Sequence, residues 1–264
     1  MIGIDVSTLQ GNINWGKVRE KVDFAMVKAS QGRGETKATK NLRNFTDSCF
    51  TKNMNGAASA ELPVGVYHYM TAQNEKEAVA EADYFIKVIT PCKEKLSLWA
   101  AVDVESEQYL KGLGKPELTA IVRAFLDRTK KAGYRPMLYT NPNFLTYRFE
   151  KDAFLSTDIW LAHWGVKKPM QVRNLQIWQH SIGRVSGINT DVDLDTGYFD
   201  MEKFAKKPDD TMKYHVGGKY TMVKGDRYTT GAPVPERLIG RTFVISAVKT
   251  GRILLDEITS WVKV

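Results

Sequence analysis

The chain has 264 residues, 38 Lys and Arg against 30 Asp and Glu for a net charge of +8, and 43% hydrophobic residues. That apolar fraction with moderate charge excludes a disordered or collagen-like chain and allows one large domain, or a large one with a small companion. No apolar run approaches the roughly 18 residues of a membrane helix, and no charged-then-apolar leader precedes Ile2, so a soluble chain without an export signal is expected.

From the start, short apolar runs alternate with helix-like stretches, the pattern of parallel sheets built from βα units. The runs predict eight strands: Ile2–Val6, Phe24–Ala29, Val64–Tyr69, Leu98–Glu105, Met137–Asn141, Ile159–Trp164, Leu175–His180 and Asp191–Leu194. Between them, Ala78, Val79, Ala82, Phe85, Ile86 and Ile89 line one helical face, and Leu118, Ile121, Val122, Phe125 and Leu126 line another. Asn74 with Glu77 three residues on reads as a capping-box variant. Pro116 and Pro142 suit first helical turns, and Gly133 suits a helix stop. After residue 150 the segments between strands are too short for full helices. The expected α/β fold is therefore an irregular barrel with helices mainly in its first five units. A polar, Pro-containing stretch from Ala205 to Thr211 predicts a linker over residues 206–213, between a domain over 1–205 and a second over 214–264. In that second part, Lys219–Val223, Thr242–Val248, Ile253–Leu255 and Trp261–Val264 are short β-like runs, predicting a small all-β module.

The most informative segment is Leu98-Trp99-Ala100-Ala101-Val102-Asp103-Val104-Glu105. Five apolar residues suit a parallel strand covered on both faces, and then two acids follow, separated by one residue. In a strand, positions i and i+2 face the same way, about 6.6 Å apart along the backbone. Asp103 and Glu105 therefore point together at the carboxyl end of a strand, where barrels of this kind carry their active sites. Two carboxylates held close in a partly dry site do not both ionise easily, so one is expected to keep its proton near neutrality. Cleavage of a glycosidic bond uses such a pair: an acid protonates the leaving oxygen and a second carboxylate stabilises the developing cation. The same spacing also serves loop capping or ion pairing with Arg and Lys.

Polar residues end the other strands as well. Asp5 and Ser7 end the first, Lys28 and Ser30 the second, Tyr67 and Tyr69 the third, and Tyr139 and Asn141 the fifth. His163 and Trp164 end the sixth, Gln179 lies in the seventh and Asp193 in the eighth. Acids at three strand ends, together with Tyr and Trp, suit a sugar cleft, because aromatic faces stack on pyranose rings and carboxylates bind hydroxyls.

These residues carry a family resemblance. Asp5-Val6-Ser7 with Gln10, Val27-Lys28-Ala29-Ser30-Gln31-Gly32, Gly65-Val66-Tyr67-His68-Tyr69, Asp103-Val104-Glu105, Tyr139-Thr140-Asn141, Trp160-Leu161-Ala162, Ile177-Trp178-Gln179 and Val192-Asp193-Leu194 occur in this order. Over roughly residues 1–200 the chain resembles glycoside hydrolase family 25, the Chalaropsis-type lysozymes, common as bacteriophage endolysins. The resemblance implies a TIM-like irregular β/α barrel and cleavage of the β-1,4 bond between N-acetylmuramic acid and N-acetylglucosamine in peptidoglycan. It implies Glu105 as acid/base, Asp103 as its partner, and Asp5 and Asp193 as further acids of the cleft. Tyr67, Tyr139, Trp164, Gln179 and Lys28 are its candidate substrate-binding residues. The spacing leaves open whether Asp103 attacks directly or orients the substrate's own N-acetyl group. One departure is the segment after Lys28, which reads Ser30-Gln31-Gly32 where the family more often has Thr-Glu-Gly. The C-terminal module, ending in Ser260-Trp261-Val262, resembles a bacterial SH3-type wall-binding domain.

The remaining features read as structural. Cys49 and Cys92 lie in no metal-ligand spacing and are expected as free thiols; Trp15 and Trp99 are expected in the core. His68, His163, His180 and His215 are scattered, so no metal is expected, and no cofactor; His68 and His180 are expected to hydrogen-bond within the barrel. The stretch Gly112-Leu113-Gly114-Lys115-Pro116 lacks the residues of a phosphate loop. The basic excess is spread, +5 over residues 1–208 and +3 over 209–264, rather than gathered in a run with interleaved aromatics. It argues against nucleic acid; a solvated surface is the plain reading of the excess, and attraction to an anionic bacterial wall the sharper one. Two competing readings are a catalytically silent peptidoglycan-binding protein and a chitinase-like glycosidase. The second usually has acids two and five residues before its Asp-x-Glu, where this chain has Ala101 and Leu98. The expected location is the cytoplasm until release onto the wall.

Overall fold

The computed structural model describes residues 1–34, 43–204, 214–249 and 251–264, so the expected linker over 206–213 lies outside the described residues. The chain divides into two compact units, Met1–Phe204 and Ala205–Val264.

In the first unit, eight strands close into a barrel: β1 (Ile2–Val6), β2 (Phe24–Arg33), β4 (Val64–Tyr69), β5 (Ala100–Asp103), β6 (Pro136–Thr140), β7 (Asp158–Ala162), β8 (Leu175–Gly183) and β9 (Val192–Gly197). A further strand, β3 (Arg43–Thr46), lies antiparallel along the outer end of β2. β1, β2 and β4 through β8 run parallel around the barrel, and β1 pairs directly with β2. β9 is the exception. It is antiparallel to both β8 and β1, placing Asp193 opposite Asp5. The reason is the short connection over residues 184–191, because a parallel crossover needs a dozen residues or more and a hairpin does not. The reversal has a functional consequence: Asp193, second residue of β9, reaches the barrel end where the other strands finish.

Inward and outward residues alternate along each strand, as the period of two requires. Val27, Val66, Val102, Leu138 and Leu161 face the helices, whereas Met26, Tyr67, Ala101, Met137, Tyr139 and Trp160 fill the barrel. Its lower end is closed by Trp99, which packs edge-on against Phe199 at 4.8 Å and donates its indole N–H to Asp158 Oδ2 at 2.7 Å. The interior is a packed core, so ligands are confined to its upper mouth.

Helices α1 (Trp15–Arg19), α2 (Phe50–Ser59), α3 (Glu75–Ile89), α4 (Glu107–Leu110) and α5 (Lys115–Lys131) all precede β6. After it, among the described residues of the first unit, there are a π-helical turn, Phe144–Arg148, and a 3-10 turn, Met201–Lys203. Asn74 caps α3 by accepting the Glu77 N–H at 2.9 Å, while Glu77 accepts the N–H of Gln73. Gly133, at φ +83°, terminates α5 in a conformation other residues adopt at a cost. The α5 stripe is buried as its spacing predicts. That of α3 is rotated: Val79 is exposed, and Glu81 is buried in the stripe instead. Its carboxylate is accommodated because His68 Nε2, Thr71 N–H and Thr71 Oγ1 all lie within 3.1 Å of it.

The second unit is an antiparallel meander of β10 (Lys219–Thr221), β11 (Thr242–Lys249), β12 (Arg252–Leu255) and β13 (Ser260–Lys263). Met222, Phe243, Ile245, Ile253, Leu255 and Val262 form its core.

Candidate active site

At the upper mouth of the barrel, Asp5, Lys28, Tyr67, Asp103, Glu105, Tyr139, Gln179 and Asp193 line one cleft. Asp103 is the last residue of β5, and Glu105 lies beyond the strand, which is shorter than its apolar run suggests. The extended backbone nevertheless continues: Val104 N–H donates to the Tyr139 carbonyl at 2.9 Å, and Thr140 Oγ1 donates to the Val104 carbonyl at 2.8 Å. Asp103 and Glu105 therefore keep the shared orientation of alternate strand residues. Asp103 is buried and Glu105 half-buried, so the pair reaches from the wall of the cleft toward its opening.

Gln179 joins the elements around this centre. Its Nε2 donates to Asp5 Oδ2 at 2.8 Å, and its Oε1 accepts from Tyr139 Oη at 3.1 Å and from Trp164 Nε1 at 3.0 Å. Tyr139 Oη also lies 3.4 Å from Glu105 Oε2. Trp164 sits beyond the end of β7, 46% exposed, and meets the cleft through Gln179 rather than by lining its floor. Lys28 donates to Gln31 Oε1 at 2.9 Å and stands 5.1 Å above the Tyr69 ring. Gln31 donates in turn to the Arg33 carbonyl at 2.9 Å, a contact that an amide makes and a carboxylate does not. This segment continues β2 to Arg33 with a register shift between Lys28 and Ser30, past the predicted end at Ala29.

The electrostatics follow from burial. Asp5 has its proton affinity pushed up to about 8, first by burial and then by Asp193, with Glu105 adding and Gln179 and Lys28 opposing. Burial also raises Asp193. The phenols of Tyr67 and Tyr139 are held well above their ordinary range by burial and then by the surrounding acids, so both remain hydrogen-bond donors. The mouth is thus an acidic cleft that retains protons at neutral pH. Among the described residues, no group of three or more His, Cys, Asp or Glu is arranged to hold a metal ion.

The strand-end residues Ser7 and Tyr69 also line the cleft, and the structure adds Leu9, Gln10 and Trp160, which the strand-end reading leaves out. Ser7 and Gln10 form a reciprocal capping box that fixes the turn after β1, and Gln10 Nε2 reaches the Asp191 carbonyl at 3.2 Å. Asp47 accepts from Thr8 N–H and Cys49 N–H, both at 2.9 Å, pinning the same turn from outside. Asp195 is buried beneath the cleft. Its spacing from Asp193 is the i, i+2 signal that singled out Asp103 and Glu105; Asp47 follows a strand too short and polar to be seen. His68 and His180 do hydrogen-bond as expected, to Ser30 and Glu81 and to Ser181 respectively.

An eight-stranded barrel that closes on an antiparallel strand, with acids gathered at its mouth, matches a known family. Residues 4–188 match glycosyl hydrolases family 25, and the chain belongs to that family. It is 31% identical over 201 residues to the autolytic lysozyme of Clostridium acetobutylicum, covering 74% of this chain and 55% of that protein. It is also 31% identical over 204 residues to lysozyme M1 of Streptomyces globisporus, covering 72% of this chain and 65% of that one. The chain thus spans less than two thirds of the length of either relative. The crystal structure of the bacterial lysozyme from Streptomyces coelicolor superposes with a TM-score of 0.64 at 26% identity, covering 77% of this chain and 94% of that one.

Proposed function

We propose that the protein is a peptidoglycan hydrolase, an N-acetylmuramidase that cleaves the β-1,4 bond between N-acetylmuramic acid and N-acetylglucosamine. The observation that carries this reading is the placement of Asp103 and Glu105 in one cleft with Asp5 and Asp193, delivered by three different strands. Family membership and the two lysozyme relatives support it.

Glu105, the more exposed member of the pair, donates its proton to the glycosidic oxygen, with Tyr139 Oη beside it to hold the carboxyl in place. Asp103 lies deeper and supplies the carboxylate that stabilises the oxocarbenium-like transition state. Asp5, holding its proton below about pH 8, contributes a neutral acid that donates a hydrogen bond without adding charge beside Glu105. Tyr67, Tyr139 and Trp164 offer ring faces and donors to sugar, and Lys28 a cation at the rim.

The second unit serves in this reading as an SH3-like wall-binding module, and the whole chain as an endolysin-like enzyme. Support for the module comes from its four-stranded antiparallel sheet and its basic excess. The test is digestion of purified bacterial walls and of chitin, with products identified by mass spectrometry. New reducing ends on muramic acid from walls, and little release from chitin, are expected. Chitin cleaved as well as walls would favour a chitinase-like enzyme, and binding to walls without new reducing ends would favour a silent binder.

A further inference from the structure

Asp195 is a buried acid with no part in the hydrolysis just described. It is 1% exposed, lies two residues after Asp193 on β9, and pairs with Gly3 of β1, one layer below the acids of the cleft. Its Oδ1 accepts the Trp160 indole N–H at 2.9 Å, whereas its Oδ2 is shut off from solvent and has no hydrogen-bond partner among the described residues. No Lys, Arg or His forms an ion pair with it among those residues. The titratable groups that face it are both acids, Asp5 from β1 and Asp193 from its own strand. β8 presents the neutral Gln179 opposite it, and β7 the Trp160 indole. An ionised carboxylate at this place would carry the whole cost of leaving water, with one hydrogen bond and no cation to offset it.

A neutral carboxylic acid escapes the ionic part of that cost, which far exceeds the cost of its one unpartnered hydroxyl, and its carbonyl oxygen still accepts the indole N–H. Trp160 in turn lines the cleft and meets Tyr67 edge-on at 5.7 Å and Tyr139 at 4.6 Å. We propose that Asp195 is a positioning residue that works as a neutral acid, holding the Trp160 indole, and through it Tyr67 and Tyr139, in the geometry that receives the sugar. Burial, reinforced by Asp5, raises its proton affinity well above the usual carboxylate range, and the Trp160 N–H does not reverse this. The inference rests on the hydrolase reading for its kinetic consequence alone.

Two substitutions separate the acceptor from the charge. Asp195→Asn keeps a neutral acceptor, and Asp195→Leu removes the acceptor while keeping the branched outline at a larger volume, with Asp195→Ala as a second acceptor-free variant should leucine not fit. The Trp160 indole N–H is read by NMR and assigned through its disappearance in Trp160→Phe. It should exchange slowly in wild type and in Asp195→Asn, and at least about ten times faster without the acceptor. In wall digestion, Asn should rescue kcat/KM to within about two-fold of wild type with the pH limbs in place, while Leu or Ala lowers it about ten-fold, chiefly through KM. Asp195→Asn moving either limb by about one pH unit or more would show that Asp195 ionises and overturn the proposal. Leu or Ala matching Asn in both readouts would overturn the positioning role. If wild type releases no sugar from walls, the hydrolase reading fails, and the indole exchange still decides for or against Asp195.

Discussion

Asp5 accumulates the opposing effects that act on a single side chain in this cleft. Burial and the neighbouring Asp193 push its proton affinity from 3.8 to about 8, so the folded protein holds a proton that the unfolded chain has released over that interval. The contribution of Asp5 to stability is therefore fully present below about pH 4 and is lost as pH rises through about 8. Asp5→Asn removes this dependence. Calorimetry should find its melting temperature close to wild type at about pH 4 and about 5 °C higher at pH 8.5; an equal difference at both would show that Asp5 stays charged in the fold. At this scale the sequence was informative where one rule sufficed. Polar residues at strand ends located Asp5, Lys28, Tyr67, Tyr139 and Gln179 around the Asp103–Glu105 pair, because apolar runs fix where strands finish. Asp195 escaped because the last strand was expected to stop at Leu194, whereas it continues to Gly197.

Elements differ in how openly the sequence declares them. Strands buried on both faces read as apolar runs, and β1, β4 and β5 are of this kind. β3 is half exposed, with Arg and Asn among its residues, and gives no such run. The direction of β9 depends on the length of the connection before it, not on its composition. In α3, spacing assigned Val79 to the buried stripe, but the pocket of donors around Glu81 rotates the helix face. Gly32 shows how tightly that contact is built: a Cβ there would lie 2.1 Å from Thr71 Oγ1 and 2.2 Å from Glu81 Oε1. Gly32→Ala should therefore displace the carboxylate from His68 and Thr71 and destabilise the protein by about 2 kcal/mol, measured by urea unfolding. A change below about 0.5 kcal/mol would mean that this network carries little of the stability.

Across the whole molecule the charge runs two ways: the chain carries a net +8, spread over both units, while its cleft gathers the acids Asp5, Asp103, Glu105 and Asp193. Long-range attraction to an anionic wall is screened as the Debye length falls from about 10 Å at 0.1 M salt to about 3 Å at 1 M, whereas proton transfer inside the cleft is not. Added salt should therefore raise KM for intact walls several-fold with little change in kcat, and should leave the digestion of short glycan fragments nearly unchanged. Equal sensitivity for both substrates would remove the surface charge from the mechanism. The most direct measurement remains the release of reducing ends from purified walls by wild type and by Glu105→Gln, with folding of the variant verified by circular dichroism. Wild type should release fragments ending in muramic acid, and Glu105→Gln should be slower by at least about a hundred-fold. Undiminished release by Glu105→Gln, or fragments ending in N-acetylglucosamine, would contradict the assignment of Glu105 as the acid of a muramidase.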